Sequence, residues 1–228
     1  MTIPTQYGGQ GKGWLDAVLA IEALSAACAV TGRIAVETNM GAISAVMAYG
    51  SEEQKKMCAD MVLAGDKPAI LITEPEAGSA ATEMTTRAVR HGDTWVINGR
   101  KTWITGGGVS RLHLIFARVI EDGRDQGIGG FLVARQGDGP PPGISFKRIP
   151  SLGLCGMPEA ETEIAGLEVP DSMVGGLAPG RDSGPDDRAQ NRFAAEQLAV
   201  GAFLPKLREV RHLALGHQQI DDAGVYAV

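Results

Sequence analysis

Cysteine is scarce in this chain and unpatterned. Cys28, Cys58 and Cys155 are odd in number and far apart, and neither Cys-x-x-Cys nor His-x-x-x-His occurs. A disulfide framework and a zinc site of ordinary spacing are thereby excluded, leaving free thiols in a reducing compartment. Positive charge is not in excess either: 21 Lys and Arg, scattered along the chain, face 27 Asp and Glu for a net charge of −6. Neither nucleic acid nor a membrane surface is expected as a partner. No run reaches the ~18 apolar residues of a membrane span. The first residues lack the basic and apolar regions of a signal peptide, so the expected location is cytoplasmic. His91, His113, His212 and His217 form no triad or metal pattern; His91 falls in a turn, and His113 reads as a structural histidine at the start of a strand. What is present, an apolar fraction of 44%, suffices for a core in one large domain or two small ones.

The glycine-rich loop from Tyr7 to Gly13 lacks a Gly-Lys-Ser/Thr ending, a preceding strand and the Gly-x-Gly-x-x-Gly spacing, so it fails as a phosphate loop. Apolar and small residues then recur at helical spacing from Leu15 to Cys28 and again from Ile34 to Met47, predicting two packed helices. The second is rich in Ala and Gly, which lets a helix or an acyl chain come close. Ser51-Glu52-Glu53-Gln54 is a capping box opening a third helix that Gly65 ends and Pro68 cannot continue. The apolar period changes from 3.6 to 2 at once afterwards. The expected fold is α+β, with residues 1–67 helical, 68–174 a small β-barrel, and 175–228 a linker and short helical tail.

The chain is organised around Ile70 to Gly108. An apolar run stops at Thr73-Glu74-Pro75, and small residues follow at Ala77, Gly78, Ser79, Ala80 and Ala81, leaving backbone N–H groups accessible to an anion. Strands are expected from Met84 to Arg90 and Thr94 to Ile97, with Asn98-Gly99 as a hairpin turn into a third strand. On that strand Trp103 and Thr105 share a face by the period-two rule. A flat aromatic beside a hydroxyl suits a planar polar heterocycle. Further short strands are expected at Leu112 to Val119, Gly129 to Arg135, Ile144 to Ile149, Thr162 to Ile164 and Leu167 to Val169. From Gly175 the composition shifts to Gly, Pro, Asp and Arg, with a helical piece from Ala189 to Phe203.

Thr73-Glu74-Pro75-x-Ala77-Gly78-Ser79 together with Asn98-Gly99-x-Lys101-x-Trp103-Ile104-Thr105 resembles the flavin-binding signature of the acyl-CoA dehydrogenase family, over about residues 3 to 175 and not beyond. The resemblance implies FAD as cofactor. Ile70, Ile72 and Thr73 would meet the pyrimidine edge, Gly78 and Ser79 the pyrophosphate, Trp103 the isoalloxazine and Thr105 the region of N5; Ser79 is also a candidate substrate contact. It implies α,β-dehydrogenation of an acyl-CoA thioester with hydride transfer to flavin, an electron-transfer flavoprotein or similar acceptor as partner, and a homo- or hetero-oligomer. The Ala- and Gly-rich helix would line the acyl pocket, and Gly153-Leu154-Cys155-Gly156 would lie near substrate and flavin. In the family the catalytic base is a glutamate on a C-terminal helical domain that this chain does not match, so the catalytic residue is unknown; Glu196 is assigned no catalytic role. The family usually has Asp after Gly-Ser where this chain has Ala80. An oxidase or a desulfinase on the same scaffold, a non-catalytic flavin- or acyl-CoA-binding pseudoenzyme or partner subunit, and a frameshifted gene fragment are the alternatives.

Overall fold

The computed structural model describes residues 1–135, 137 and 139–175. The expected linker, the helix from Ala189 to Phe203, Glu196, His212 and His217 lie outside the described residues.

Four helices come first: α1 (Trp14–Ala27), α2 (Ala29–Met40), α3 (Ala42–Tyr49) and α4 (Glu52–Leu63). The glycine-rich loop before α1 folds back on the N-terminal segment, Gly11 N–H donating to the Ile3 carbonyl at 2.9 Å. The second helix expected from Ile34 to Met47 is two, broken at Gly41, where an added Cβ would lie 3.0 Å from the Glu37 carbonyl oxygen. Small residues do bring helices together: a Cβ on Gly32 of α2 would sit 1.9 Å from Ser25 Oγ of α1. The capping box of α4 forms, Ser51 Oγ accepting from Gln54 N at 3.2 Å and Gln54 Oε1 from Ser51 N at 3.0 Å. Gln54 Nε2 also donates to the Ser172 and Val174 carbonyls, tying α4 to the end of the sheet domain.

Seven strands come next: β1 (Ala69–Leu71), β2 (Arg87–His91), β3 (Thr94–Thr105), β4 (Leu112–Glu121), β5 (Arg124–Ala134), β6 (Ile144–Ile149) and β7 (Glu159–Pro170). They form one sheet in the order β1-β4-β2-β3-β7-β6, with β5 on the other side of β4. Among the described residues no pairing joins β5 to β6. The sheet is nonetheless rolled, because residues from both ends, Ile115 and Phe131 at one and Ile144, Ile164 and Leu167 at the other, share one buried cluster. Alternation along β4 builds two cores: Ile115, Ala117 and Val119 face this interior, while Leu112, Leu114 and Phe116 meet α3 and α4 through Ile43, Val46, Cys58 and Ala59.

Two expected breaks in the strands are absent. Asn98-Gly99 is not a hairpin turn; β3 runs straight through it, with a register shift against β7 between Ile97 and Asn98. There Gly99 is needed for closeness, since a Cβ would stand 2.3 Å from Thr86 Oγ1. Opposite it, β7 is one strand rather than two, with Gly166 at φ +70° absorbing the bulge and its N–H bonded to Asn98 Oδ1 at 2.8 Å. The hairpin turns fall between expected strands, at Gly92-Asp93 and at Asp122-Gly123; in the latter both residues have positive φ as a type I′ turn requires. β2 begins at Arg87, later than expected, because Thr85 and Thr86 are held by Glu74.

Candidate functional site

β1 leaves the sheet at Leu71, and a buried ion pair shapes the loop beyond it. Lys101, whose side chain is wholly buried on β3, donates from Nζ to the Ile72 carbonyl and to Glu74 Oε1, both at 2.9 Å. Glu74 in turn accepts from Thr85 N at 2.7 Å, Thr85 Oγ1 at 2.9 Å and Thr86 N at 3.0 Å. Burial pushes the Glu74 carboxyl upward, but the bonds from Thr85 and Thr86 and the Lys101 ammonium outweigh it and hold the group at about 2. Burial brings Lys101 down to about 8 against the pull of Glu74.

Glu74 and Ala77 close a tight turn by exchanging backbone bonds of 3.0 and 3.2 Å. Beyond it Gly78, Ser79 and Ala80 are exposed, and their amides have no partner among the described residues. A Cβ on Gly78 would meet nothing within 4 Å. This is an open group of backbone donors, suited to an anion. Its far end is fixed by Arg118 of β4, which donates from Nε to the Met84 carbonyl at 2.7 Å and from Nη2 to the Thr82 carbonyl at 2.6 Å.

Thr102 N–H, bonded to the Thr73 carbonyl at 2.9 Å, joins this loop to the end of β3. There the register shifts again between Lys101 and Ile104, and Trp103 takes φ +55°. Ile104 turns into the core while Trp103, on the other side, is 57% exposed. Thr105 is next, half-buried, its hydroxyl donating to Glu159 Oε1 at 2.8 Å and its carbonyl accepting from Lys67 Nζ at 3.1 Å. Gly106 N–H is fastened to the Pro158 carbonyl at 2.7 Å, and a Cβ there would lie 2.6 Å from Lys67 Nζ.

Ile70 and Ile72 pack their side chains against the helix-side core, so only backbone remains for a ligand, and the Ile72 carbonyl already holds Lys101. α2 borders the Thr105 end. Its Arg33 pairs with the buried Glu37 at 2.6 Å, and Glu37, Arg33 and Glu159 all act electrostatically on Lys67, whose ammonium burial holds below its ordinary range. A Cβ on Gly156 would touch Val30 of α2 at 3.3 Å, placing this residue against the same helix. A cavity of about 90 Å³ lined by Pro75, Arg100, Lys101, Thr102, Ser145 and Lys147 adjoins the loop and is small beside an ordinary ligand pocket. Lys101 and Glu159 were absent from the site expected from sequence. A lysine on the inward phase of an apolar strand was a usable signal for the first; Glu159, just before a run of alternation, carries no motif.

The family models for the acyl-CoA dehydrogenase N-terminal domain and middle domain match residues 1–66 and 69–166. The chain belongs to the acyl-CoA dehydrogenase family. It is similar to 3-sulfinopropanoyl-CoA desulfinase of Cupriavidus necator, 51% identical over 223 residues, covering 96% of this chain and 56% of that protein. It is also similar to human mitochondrial short-chain specific acyl-CoA dehydrogenase, 33% identical over 178 residues, 77% of this chain and 42% of that one. Among solved structures, a glutaryl-CoA dehydrogenase from Mycobacterium smegmatis in complex with FADH2 superposes with a TM-score of 0.68 at 29% identity, covering 85% of this chain and 46% of that chain. The chain spans about half the length of the curated relatives it matches. Because the Cupriavidus alignment takes in 96% of the chain, similarity runs past residue 175, where it was expected to stop.

Proposed function

We propose that this chain forms the flavin-holding part of an FAD-dependent desulfinase acting on 3-sulfinopropanoyl-CoA or a similarly short acyl-CoA with an anionic end. The observation that carries the choice is the identity gap: 51% to a desulfinase against 33% to an acyl-CoA dehydrogenase. The residues fit the cofactor. Gly78 and Ser79 offer unpartnered amides for a pyrophosphate, Thr73 a polar edge for the pyrimidine, Trp103 an exposed plane for the isoalloxazine, and Thr105 a hydroxyl beside N5. Bound flavin supplies a plane against which an acyl chain lies and, in dehydrogenation, an acceptor for hydride. The chain's own contribution is to keep the donors apart and open through Lys101, Glu74 and Arg118.

Loss of a sulfinate with water, giving the saturated acyl-CoA and hydrogen sulfite, balances without net electron transfer. The electron-transfer flavoprotein expected from the family is then not required. Dehydrogenation, the second reading, does require an acceptor. The test is anaerobic incubation of the FAD-loaded chain with 3-sulfinopropanoyl-CoA and, separately, butanoyl-CoA, reading released sulfite and the visible flavin spectrum. Sulfite without bleaching supports the desulfinase. Bleaching by butanoyl-CoA without sulfite from the first substrate replaces it with the dehydrogenase.

A further inference from the structure

A hydroxyl has one proton to give and two lone pairs to receive. In this fold the Thr105 proton is already committed, because Oγ1 donates to Glu159 Oε1 at 2.8 Å and Glu159 is its direct partner across the β3–β7 ladder. An ionised carboxylate has only lone pairs, so it returns no proton to the hydroxyl. Lys67 stands on the same group of atoms, bonded to the Thr105 carbonyl at 3.1 Å and acting electrostatically on Glu159. The side of Thr105 Oγ1 left for a ligand therefore presents lone pairs.

We propose that Glu159 is a positioning residue that makes Thr105 a hydrogen-bond acceptor toward the bound flavin, so that the site favours the reduced form. Reduced flavin carries a proton on N5, whereas oxidised N5 offers only a lone pair and finds no donor in a hydroxyl that Glu159 has engaged. Such a site raises the midpoint potential of the bound flavin. The inference rests on the flavin reading above.

The test is the shift caused by one substitution, compared between two backgrounds. Thr105→Val is made in the otherwise natural chain and in Glu159→Ala, each loaded with FAD, and midpoint potentials are measured by anaerobic equilibration with reference dyes. Within each background the charge at position 159 is constant and cancels. If Thr105 is an acceptor, Thr105→Val lowers the potential in the natural chain; a tenfold loss of preference for the reduced form corresponds to about 30 mV for a two-electron couple. In the Glu159→Ala background the freed hydroxyl can donate to oxidised N5 as well as accept from reduced N5–H, so Thr105→Val lowers the potential by less or raises it. Where Glu159→Ala fails to fold, Glu159→Val, a better strand former, serves in its place. A rise in the natural chain, or an equal shift in both backgrounds, overturns the proposal. A purely structural Glu159 changes thermal stability and leaves the Thr105→Val shift the same in both backgrounds. A folded natural chain that takes up no FAD overturns the flavin reading itself, and that outcome is distinguishable because no potential is recorded at all.

Discussion

Replacing Lys101 by Met tests the brace on which the loop depends. Methionine fills much the same volume but leaves Glu74, 4% exposed, with no counter-charge. Breaking a buried pair by removing one partner costs about 3–5 kcal/mol, a large part of a total stability of about 5–15 kcal/mol. With a urea slope of about 2 kcal/mol per molar, the unfolding midpoint should fall by about 2 M. Glu74→Gln should be destabilising as well, and the double variant Lys101→Met with Glu74→Gln should recover part of the loss because neither charge is then stranded. Acid titration probes the same pair from the other side. The folded carboxyl lies at about 2 against an ordinary 4.5. Its stabilisation, about 3 kcal/mol, is therefore complete above pH 4.5 and lost as pH falls towards 2. Urea unfolding of the four proteins at neutral pH, repeated towards acid, measures both. A Lys101→Met cost below about 1 kcal/mol with strictly additive double-variant energies would refute the idea that this pair holds the loop.

Three further outcomes are expected. Burial pulls His113, stacked on Phe146, down to about 4 from 6.5; its folded form rejects a proton, so stability is full above pH 6.5 and falls by about 3 kcal/mol towards pH 4. His113→Leu should flatten thermal unfolding temperature across that window. Gly99→Ala drives a methyl into Thr86 and should cost about 1–3 kcal/mol by chemical denaturation. Gln54→Ala removes the side-chain half of the α4 capping box and the two bonds to Ser172 and Val174, and a loss of about 2–3 kcal/mol is expected; a loss within about 0.5 kcal/mol of zero would show that these bonds do not hold α4.

Where one local rule decided the structure, the sequence was sufficient. Ser51 and Gln54 satisfy each other within four residues, and the capping box forms as read. Ile104 is buried and Trp103 exposed as alternation requires, although the register shift and the positive φ of Trp103 interrupt the regular strand there. Asn98-Gly99 misled because its local preference for a turn lost to pairing with β7, 68 residues away through the Asn98 to Gly166 bond. The glycine was needed for Thr86, a neighbour that sequence order does not reveal. Gly41 broke a helix whose apolar spacing continued through it. The partners of Glu74, Thr105 and Arg118 were illegible for a different reason: each is set by strand order, and β4 between β1, β2 and β5 follows from no single segment.

β4 has one further consequence. It is hydrogen-bonded to β1 and β2 along one edge and to β5 along the other, while its two faces serve separate cores. Its amides can meet solvent only when all of these give way together, whereas α1 buries Ala17 alone. Deuterium uptake will therefore sort the chain by depth of opening: α1 exchanges through inexpensive local fraying, and β4 reports the global unfolding free energy.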